Sequence, residues 1–315
     1  ILINWNGGEF TLPCIASLKR GLLLPEWIVV VDNASQDESP NEIGRQYPDV
    51  VLIRNEVNKG FAEGNNIGVR RALELGAEYV WLLNNDTVVA KDCLLRLIAA
   101  TKTEPEAACY TTKIYYENPD TMLWYDGGEW HPLHLAPRHC HQQEYDCDPD
   151  SDDVVPTEFV SGCSMLIPAQ VVREYGLFCR KFVAYSEDAD FCLRLKKARR
   201  MLCYVKGAKI WHKVSASLKK NLASSDPAHA PGIALYLMVR NNYWMFRRNL
   251  NSILLLPVLL LHLCIAVKIS LNFILSGNSA GVKCVARAVK DGLFADLTDM
   301  TFSATVVIGS KQGSS

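Results

Sequence analysis

The 315 residues are 49% hydrophobic and 21% charged, a composition that excludes a disordered chain and is long enough for one large domain or two smaller ones. Lys and Arg total 33 against 34 Asp and Glu, a formal net charge of -1, so the overall balance argues against nucleic acid as a partner. Eleven cysteines, scattered singly from Cys14 to Cys284 without CxxC pairs, read as reduced thiols of a cytosolic compartment.

The chain opens on Ile1-Leu2-Ile3 without a Met, inside a strand-like run, so the natural start is expected upstream and a targeting segment stays open. A helical stretch follows to about Leu18. Trp27 to Val31 reads as a second strand, with a turn at Asp32 to Asp37 and a short helix up to Tyr47. Val50 to Arg54 is a third strand, followed by the loop Asn55 to Gly60 and an amphipathic helix through Leu75, closed by Gly76 as C-cap. Tyr79 to Leu83, the fourth strand, runs into Asn84-Asn85-Asp86-Thr87. This alternation predicts an α/β fold with a mostly parallel sheet covered by helices. Asn4 and Asn6, Asp32 and Asn33, Asn55 and Asn58, and Asn84 to Asp86 each follow directly on a strand. They therefore lie at the carboxyl edge of the sheet, where open α/β folds bind ligands.

From Cys109 to Pro156, Gly127-Gly128, the prolines and the many His, Asp and Gln residues predict loops or short antiparallel strands. Regular patterning returns at Glu158 to Ile167, at a helix from Ser186 to about Ala198, and at a short strand near Leu202 to Val205. Ile233 to Phe246 reads as an amphipathic helix with a basic side. Ile253 to Leu275 is almost wholly apolar and barely long enough to span a membrane. His262 and Lys268 are costly at bilayer depth, so a buried or interfacial helix pair is the alternative. The expected organisation is residues 1–108 as a nucleotide-sugar-binding half, 109–218 as an acceptor-binding and catalytic half, and 219–315 as a helical, membrane-associated region.

A carboxylate in a short loop after a strand, as at Asp86, can hold a hard divalent cation against a diphosphate; taken alone, Asn84-Asn85-Asp86 is also the pattern of an Asx turn or helix N-cap. Asp32 can accept from a pyrimidine ring N–H, and Asn58 with Gly60 leaves bare backbone for a ribose or phosphate. Neither GxGxxG nor GxxxxGK[ST] occurs, so phosphate charge has to be met another way, and a metal is the economical one. Glu187, Asp188 and Asp190 put three carboxylates in one helical turn, more than capping needs, and a displacement at a sugar carbon requires a base. His212 is a candidate metal or diphosphate ligand. The cluster His131, His134, His139, Cys140, His141 and Cys147 matches no zinc spacing and reads as a solvated loop.

These residues resemble the inverting glycosyltransferases of family 2, in particular their rhamnosyltransferase-like branch. The likeness runs from Leu2 to about Phe246 through Asn4-Trp5-Asn6-Gly7, Val31 to Asp37, Asn58 to Asn66, Leu83 to Thr87, Phe159 to Ile167, Tyr185 to Arg194 and His212 to Ser217. The resemblance implies the GT-A fold, Mg or Mn as cofactor, a nucleotide-diphosphate sugar as donor and a glycan or lipid-linked glycan as acceptor, at the inner face of the cell membrane. It further implies that Asp32 reads the base and that Asn58, Gly60 and Asn65 line the donor site beside Asn4, Asn6, Asn84 and Asn85. Asp86 would hold the metal with His212, and Asp188 would be the base with Glu187 as runner-up. Three features depart from the family pattern. The metal loop is Asn-Asn-Asp instead of Asp-x-Asp, Phe178-Cys179-Arg180 lacks an acidic pair, and QxxRW is absent, which favours a single transfer per encounter. Competing readings are a polyprenyl-phosphate sugar synthase, a nucleotidyltransferase and a catalytically dead glycan-binding module.

Overall fold

The computed structural model describes residues 1–148, 151–214 and 232–298. Four parallel strands come first: β1 (Leu2–Asn4), β2 (Val29–Asp32), β3 (Val51–Arg54) and β4 (Tyr79–Leu83). β2 lies between β1 and β3, with Asn4, Asp32 and Arg54 level with one another. β1 meets β4 through Ile1 N to Trp81 O (2.7 Å) and Leu83 N to Ile1 O (3.1 Å), the parallel pattern that joins this part of the sheet to the rest. Every residue of β2 is buried, as expected of a strand covered on both faces, and α1 (Gly8–Lys19), α2 (Ser39–Gln46) and α3 (Gly60–Glu74) are the connecting helices.

Beyond β4 the sheet continues through β11 (Ser164–Pro168), β6 (Cys109–Tyr116), β12 (Leu202–His212) and β10 (Val154–Thr157). β6 and β12 pair parallel, whereas β11 and β10 run against their neighbours. The sheet is thus mostly parallel, and its reversed strands, β10, β11 and the short β5 and β7, lie on the second half. β5 (Thr87–Val89) pairs with the end of β12, and β7 (Leu123–Tyr125) pairs with β6. A hairpin of β8 (Gly128–Trp130) and β9 (Pro137–His139) stands beside them. The region expected to be loops or short strands therefore supplies β6, a central eight-residue strand with seven buried positions, as well as the short antiparallel pieces.

Two helices have no counterpart in the sequence reading, α4 (Cys93–Thr103) and α5 (Ala169–Tyr175). α6 (Glu187–Lys197) matches the expected helix, starting after a 3-10 turn at Arg180–Phe182. Three helices end the described chain: α7 (Ile233–Asn249), α8 (Ser252–Leu275) and α9 (Ser279–Phe294). α7 is bound into the second half of the sheet domain. Asp190, fully buried on α6, accepts from Arg194 Nε (3.1 Å), Arg248 Nε (3.2 Å) and Asn249 Nδ2 (2.8 Å). Such a buried carboxylate is tolerated only because its partners are charged and directional.

Candidate active site

The strand ends of the first half gather a continuous polar relay. Asp32 Oδ1 accepts from Asn4 Nδ2 (2.8 Å); Asn4 Oδ1 accepts from the Thr11 hydroxyl (2.7 Å), whose oxygen accepts from Asn85 Nδ2 (2.8 Å). Asp32 at one strand tip and the loop before Asp86 at another are thus tied through three hydrogen bonds. Asn4 is fully buried and its amide also donates to Ser39 Oγ (2.7 Å), so its side chain braces the rim from behind. Asn6, at φ 48, accepts from Gln36 N (2.7 Å) and pins the turn after Asp32.

Asn58 is exposed and accepts from Gly60 N (2.8 Å), closing the loop before α3. Gly60 has φ +78, and a Cβ there would stand 2.7 Å from Val183 Cγ1 and 2.8 Å from Val183 O. Only glycine fits that close approach. Asn65 lies buried one turn into α3, donating to Phe61 O (3.0 Å). Asn33 and Asn55, placed at the carboxyl edge by the sequence but given no role of their own, hold this loop: Asn33 Nδ2 donates to Gly60 O (3.0 Å) and Asn33 Oδ1 accepts from Asn55 Nδ2 (2.9 Å).

The second half meets this rim at the turn Ser161 to Cys163. Because β11 runs antiparallel to β4, Ser164 pairs with Leu83, and Asn84 N donates to Cys163 O (2.9 Å). On the other side of the turn, Gly162 N donates to Asp188 Oδ2 (2.9 Å). β12 delivers His212 to the same place. Its last residue pairs with Thr87, and its Nε2 lies 3.1 Å from Asp86 Oδ1 with both groups buried. Asp86, His212 and Asp188 all act electrostatically on Cys163. Asp32, Asp86 and Asp188 therefore share one rim, although they are scattered over more than 150 positions.

The charges of this rim are strongly perturbed. Burial alone would lower the His212 pKa, but the Cys163 sulfur and the Asp86 carboxylate outweigh it and raise the imidazole to about 10. Burial also pushes the Cys163 thiol up, against the pull of the neighbouring His212. Burial and the neighbouring Asp188 push Glu187 well above the usual carboxylate range. Asp188 is raised by burial but pulled back by the N–H groups of Gly162 and Ala189. Glu187 Oε2 meets no hydrogen-bond partner, whereas the Asp188 carboxylate is held by backbone N–H groups, so of the two Glu187 is pushed further toward its neutral form.

A divalent ion fits Asp86 and His212. Octahedral ligands about 2.1 Å from an ion stand about 3 Å apart, which is the Oδ1 to Nε2 separation of 3.1 Å seen here. The buried Asn84 Oδ1 beside them has no partner of its own. Among the described residues no group of three or more His, Cys, Asp and Glu side chains assembles a complete cage. An ion at this place would therefore complete its coordination with diphosphate oxygens and water, the usual habit of Mg. Ser215-Ala216-Ser217 of the His212 motif lie outside the described residues.

Trp124, absent from the sequence reading, presents its ring edge-on to His212 with centroids 4.8 Å apart and to His139 at 4.4 Å. Only the alternation of β7, with Leu123 and Tyr125 buried on the other face, pointed to it. The remaining histidines of the middle region disperse: His131 stacks on His134 at 3.7 Å, and His141 meets Asp126.

The model of the family described as Glycosyl transferase family 2 matches residues 1–163. The chain belongs to glycosyltransferase family 2. It is similar to an N-acetylglucosaminyl-diphospho-decaprenol L-rhamnosyltransferase of Mycobacterium tuberculosis, 22% identical over 78% of this chain and 85% of that one. It is likewise similar to the dTDP-rhamnosyl transferase RfbF of Shigella flexneri, 21% identical over 73% of each chain. These relatives place the family 2 chain in the rhamnosyltransferase-like branch. Among solved structures, GalNAc-T7 with UDP, GalNAc and Mn2+ superposes with a TM-score of 0.54 at 15% identity, over 67% of this chain and 42% of that one. That likeness establishes the GT-A fold of this family 2 glycosyltransferase, whose work is glycan synthesis.

Proposed function

We propose that this family 2 glycosyltransferase moves a sugar, rhamnose by the names of its relatives, from a nucleotide-diphosphate donor to a hydroxyl of a lipid-linked glycan, with inversion at the anomeric carbon. The observation that carries this reading is the Ser161–Cys163 turn, which holds Asp188 on one flank and the Asp86–His212 pair on the other.

In this reading Asp32 recognises the base and the Asn58–Gly60 loop takes the ribose and phosphates. Asp86 and His212 would hold Mg or Mn, and the ion would supply positive charge to the leaving diphosphate, a role worth several kcal/mol. Asp188 accepts the proton of the acceptor hydroxyl as that oxygen attacks the face opposite the diphosphate. Its carboxylate is oriented by two backbone N–H bonds, 2.9 Å from Gly162 N and 2.7 Å from Ala189 N, so little reorganisation precedes proton transfer. Trp124 supplies an apolar wall on the acceptor side. The reaction takes place at the cytoplasmic face of a membrane, where a lipid-linked acceptor is presented.

Incubation with dTDP-rhamnose, other nucleotide sugars and a diphospholipid-linked N-acetylglucosamine, with and without Mn, tests the reading directly. Metal-dependent release of nucleoside diphosphate, and a product whose anomeric configuration is opposite to the donor's by NMR, is the expected result. A retained configuration, or no turnover with any donor, would overturn it.

A further inference from the structure

α8 is the one described helix long and apolar enough to cross a membrane, 24 residues with an 18-residue stretch at a mean hydropathy of 2.4. Its packing is one-sided. Val258, His262 and Ala266, four residues apart, face the protein and are buried. Leu256, Leu260, Leu263, Val267, Leu271 and Ile274 form an unbroken row on the opposite side, exposed at 39% to 63%. A row of this kind without an acidic residue is uncommon on a water-facing helix.

The middle of α8 is anchored to the sheet domain. His262 Nε2 donates to His134 O (2.8 Å) in the β8–β9 hairpin, and its ring lies against Phe246 (4.6 Å between centroids) and Tyr243 (6.3 Å) of α7. Burial lowers the His262 pKa, so the ring is a neutral donor. α9 then runs back beside α7, with Trp244 Nε1 donating to Asp291 O (3.1 Å) and Arg247 to Gly292 O (2.9 Å). If α8 crossed a bilayer, His262 would sit near the hydrocarbon centre. The hairpin bearing the Arg138–Glu129 ion pair would be drawn in with it, at a cost of several kcal/mol for the charges alone.

The surroundings of the row name its occupant. Lys268 follows Val267 and stands about 100° round the helix, at the edge of the row. α9 contributes Lys283, Arg287 and Lys290, spaced to share one face and exposed. Asp291 is the sole acidic residue of the two helices; it accepts from Tyr236 (2.7 Å) and lies 3.6 Å from Arg287 Nε, so a net positive charge remains on this face. Apolar row and cationic margin together match the boundary between acyl chains and anionic headgroups.

We propose that α8 lies in the plane of the membrane, its Leu256–Ile274 row sunk into one leaflet of anionic lipid while both ends of the helix stay on the side of the catalytic domain. The proposal deepens the membrane-surface reading above and rests on it for the identity of the acceptor, not for its own test.

The full chain is mixed with sealed vesicles of phosphatidylcholine alone or with phosphatidylglycerol at a quarter of the lipid. Wild type is expected to sediment with the anionic vesicles. Leu260→Glu with Val267→Glu is expected to weaken binding on the order of tenfold per substitution; Leu22→Glu, at an exposed leucine elsewhere, is expected to leave it unchanged. Hydrolysis of the nucleotide sugar in solution stays at the wild-type rate in all three proteins, which separates loss of membrane contact from loss of the transferase. A protease site inserted after Ser276 is expected to be cut from outside in vesicle-bound protein, and this readout does not depend on the variants folding. Protection of that site, equal binding to both vesicle types, or a dimer that forms through the row without lipid would each overturn the proposal.

Discussion

Replacing Asp188 by Asn separates its proposed role as base from its structural role, because Asn keeps the shape of the side chain. In the native site the carboxylate accepts from Gly162 N and Ala189 N. Asn can satisfy one of these N–H groups with its carbonyl but turns an N–H of its own toward the other, a loss of about 1 kcal/mol. The same change removes the charge that pushes the neighbouring Glu187 upward, which offsets part of that loss. Net stability should therefore move by no more than about 1 kcal/mol. Turnover should fall about 100-fold to 10,000-fold, the usual contribution of a positioned general base, equivalent to about 3–5 kcal/mol of activation free energy. Donor binding measured by calorimetry should be unchanged.

The pH dependence gives the same prediction a second arm. Burial raises both carboxyls, so the folded protein keeps their protons at pH values where the unfolded chain has released them. Unfolding in that window releases protons, and stability falls as pH rises from the ordinary carboxylate range through the raised values. Wild-type kcat should show an acid limb above that ordinary range, and Asp188→Asn should lose the limb and flatten the stability slope. A variant that keeps more than about a tenth of the wild-type kcat with its acid limb in place would refute the assignment of the base.

Further predictions concern the groups around it. In metal-free protein the Cys163 sulfur and the Asp86 carboxylate together raise His212, so its stabilisation is full below the unfolded value of 6.5 and is lost as pH rises to about 10. Asp86→Asn should flatten that slope in denaturant titrations and remove Mn binding, whereas Mn affinity of the wild type should climb about tenfold per pH unit across the neutral range as the proton is displaced. Gly60→Ala should cost about 1–3 kcal/mol of stability and raise the donor KM, since its Cβ meets Val183 at 2.7 Å on a backbone with φ +78. The Asn241 amide nitrogen shares its two N–H groups among Phe182 O, Ala184 O and Tyr185 O, across a segment in which Val183, Tyr185 and Ser186 all have positive φ. Asn241→Leu should lower kcat by loosening the approach to Asp188, and reduce stability by about 2–4 kcal/mol in thermal unfolding.

Local pattern alone determined the first half of the domain. The runs before Asn4, Asp32, Arg54 and Asn84 are apolar and short and separated by helical stretches, and nothing but a parallel sheet with polar tips satisfies that order. The family motifs carried the fold and the transferase class for the same reason: they sit at strand ends whose place in the sheet is set by connectivity.

What the tertiary structure decided lies where the local signal breaks. The register of β12 shifts between Val205 and Lys209, so the strand reads as finished near Val205, yet pairing with β6 and β5 carries it on to His212 and sets that ring against Asp86, 126 residues away. Asn4 looks like a ligand-facing tip in sequence, but burial turns it into the brace behind Asp32. α7 reads as the start of a membrane appendage, and only its hydrogen bonds to residues 182 to 190 reveal it as a clamp on the turn before α6 and on Asp190. Hydrophobic periodicity reports which face of an element is covered, not what covers it. The partner of each face is a non-local choice, made when distant strands and helices compete for the same buried surface.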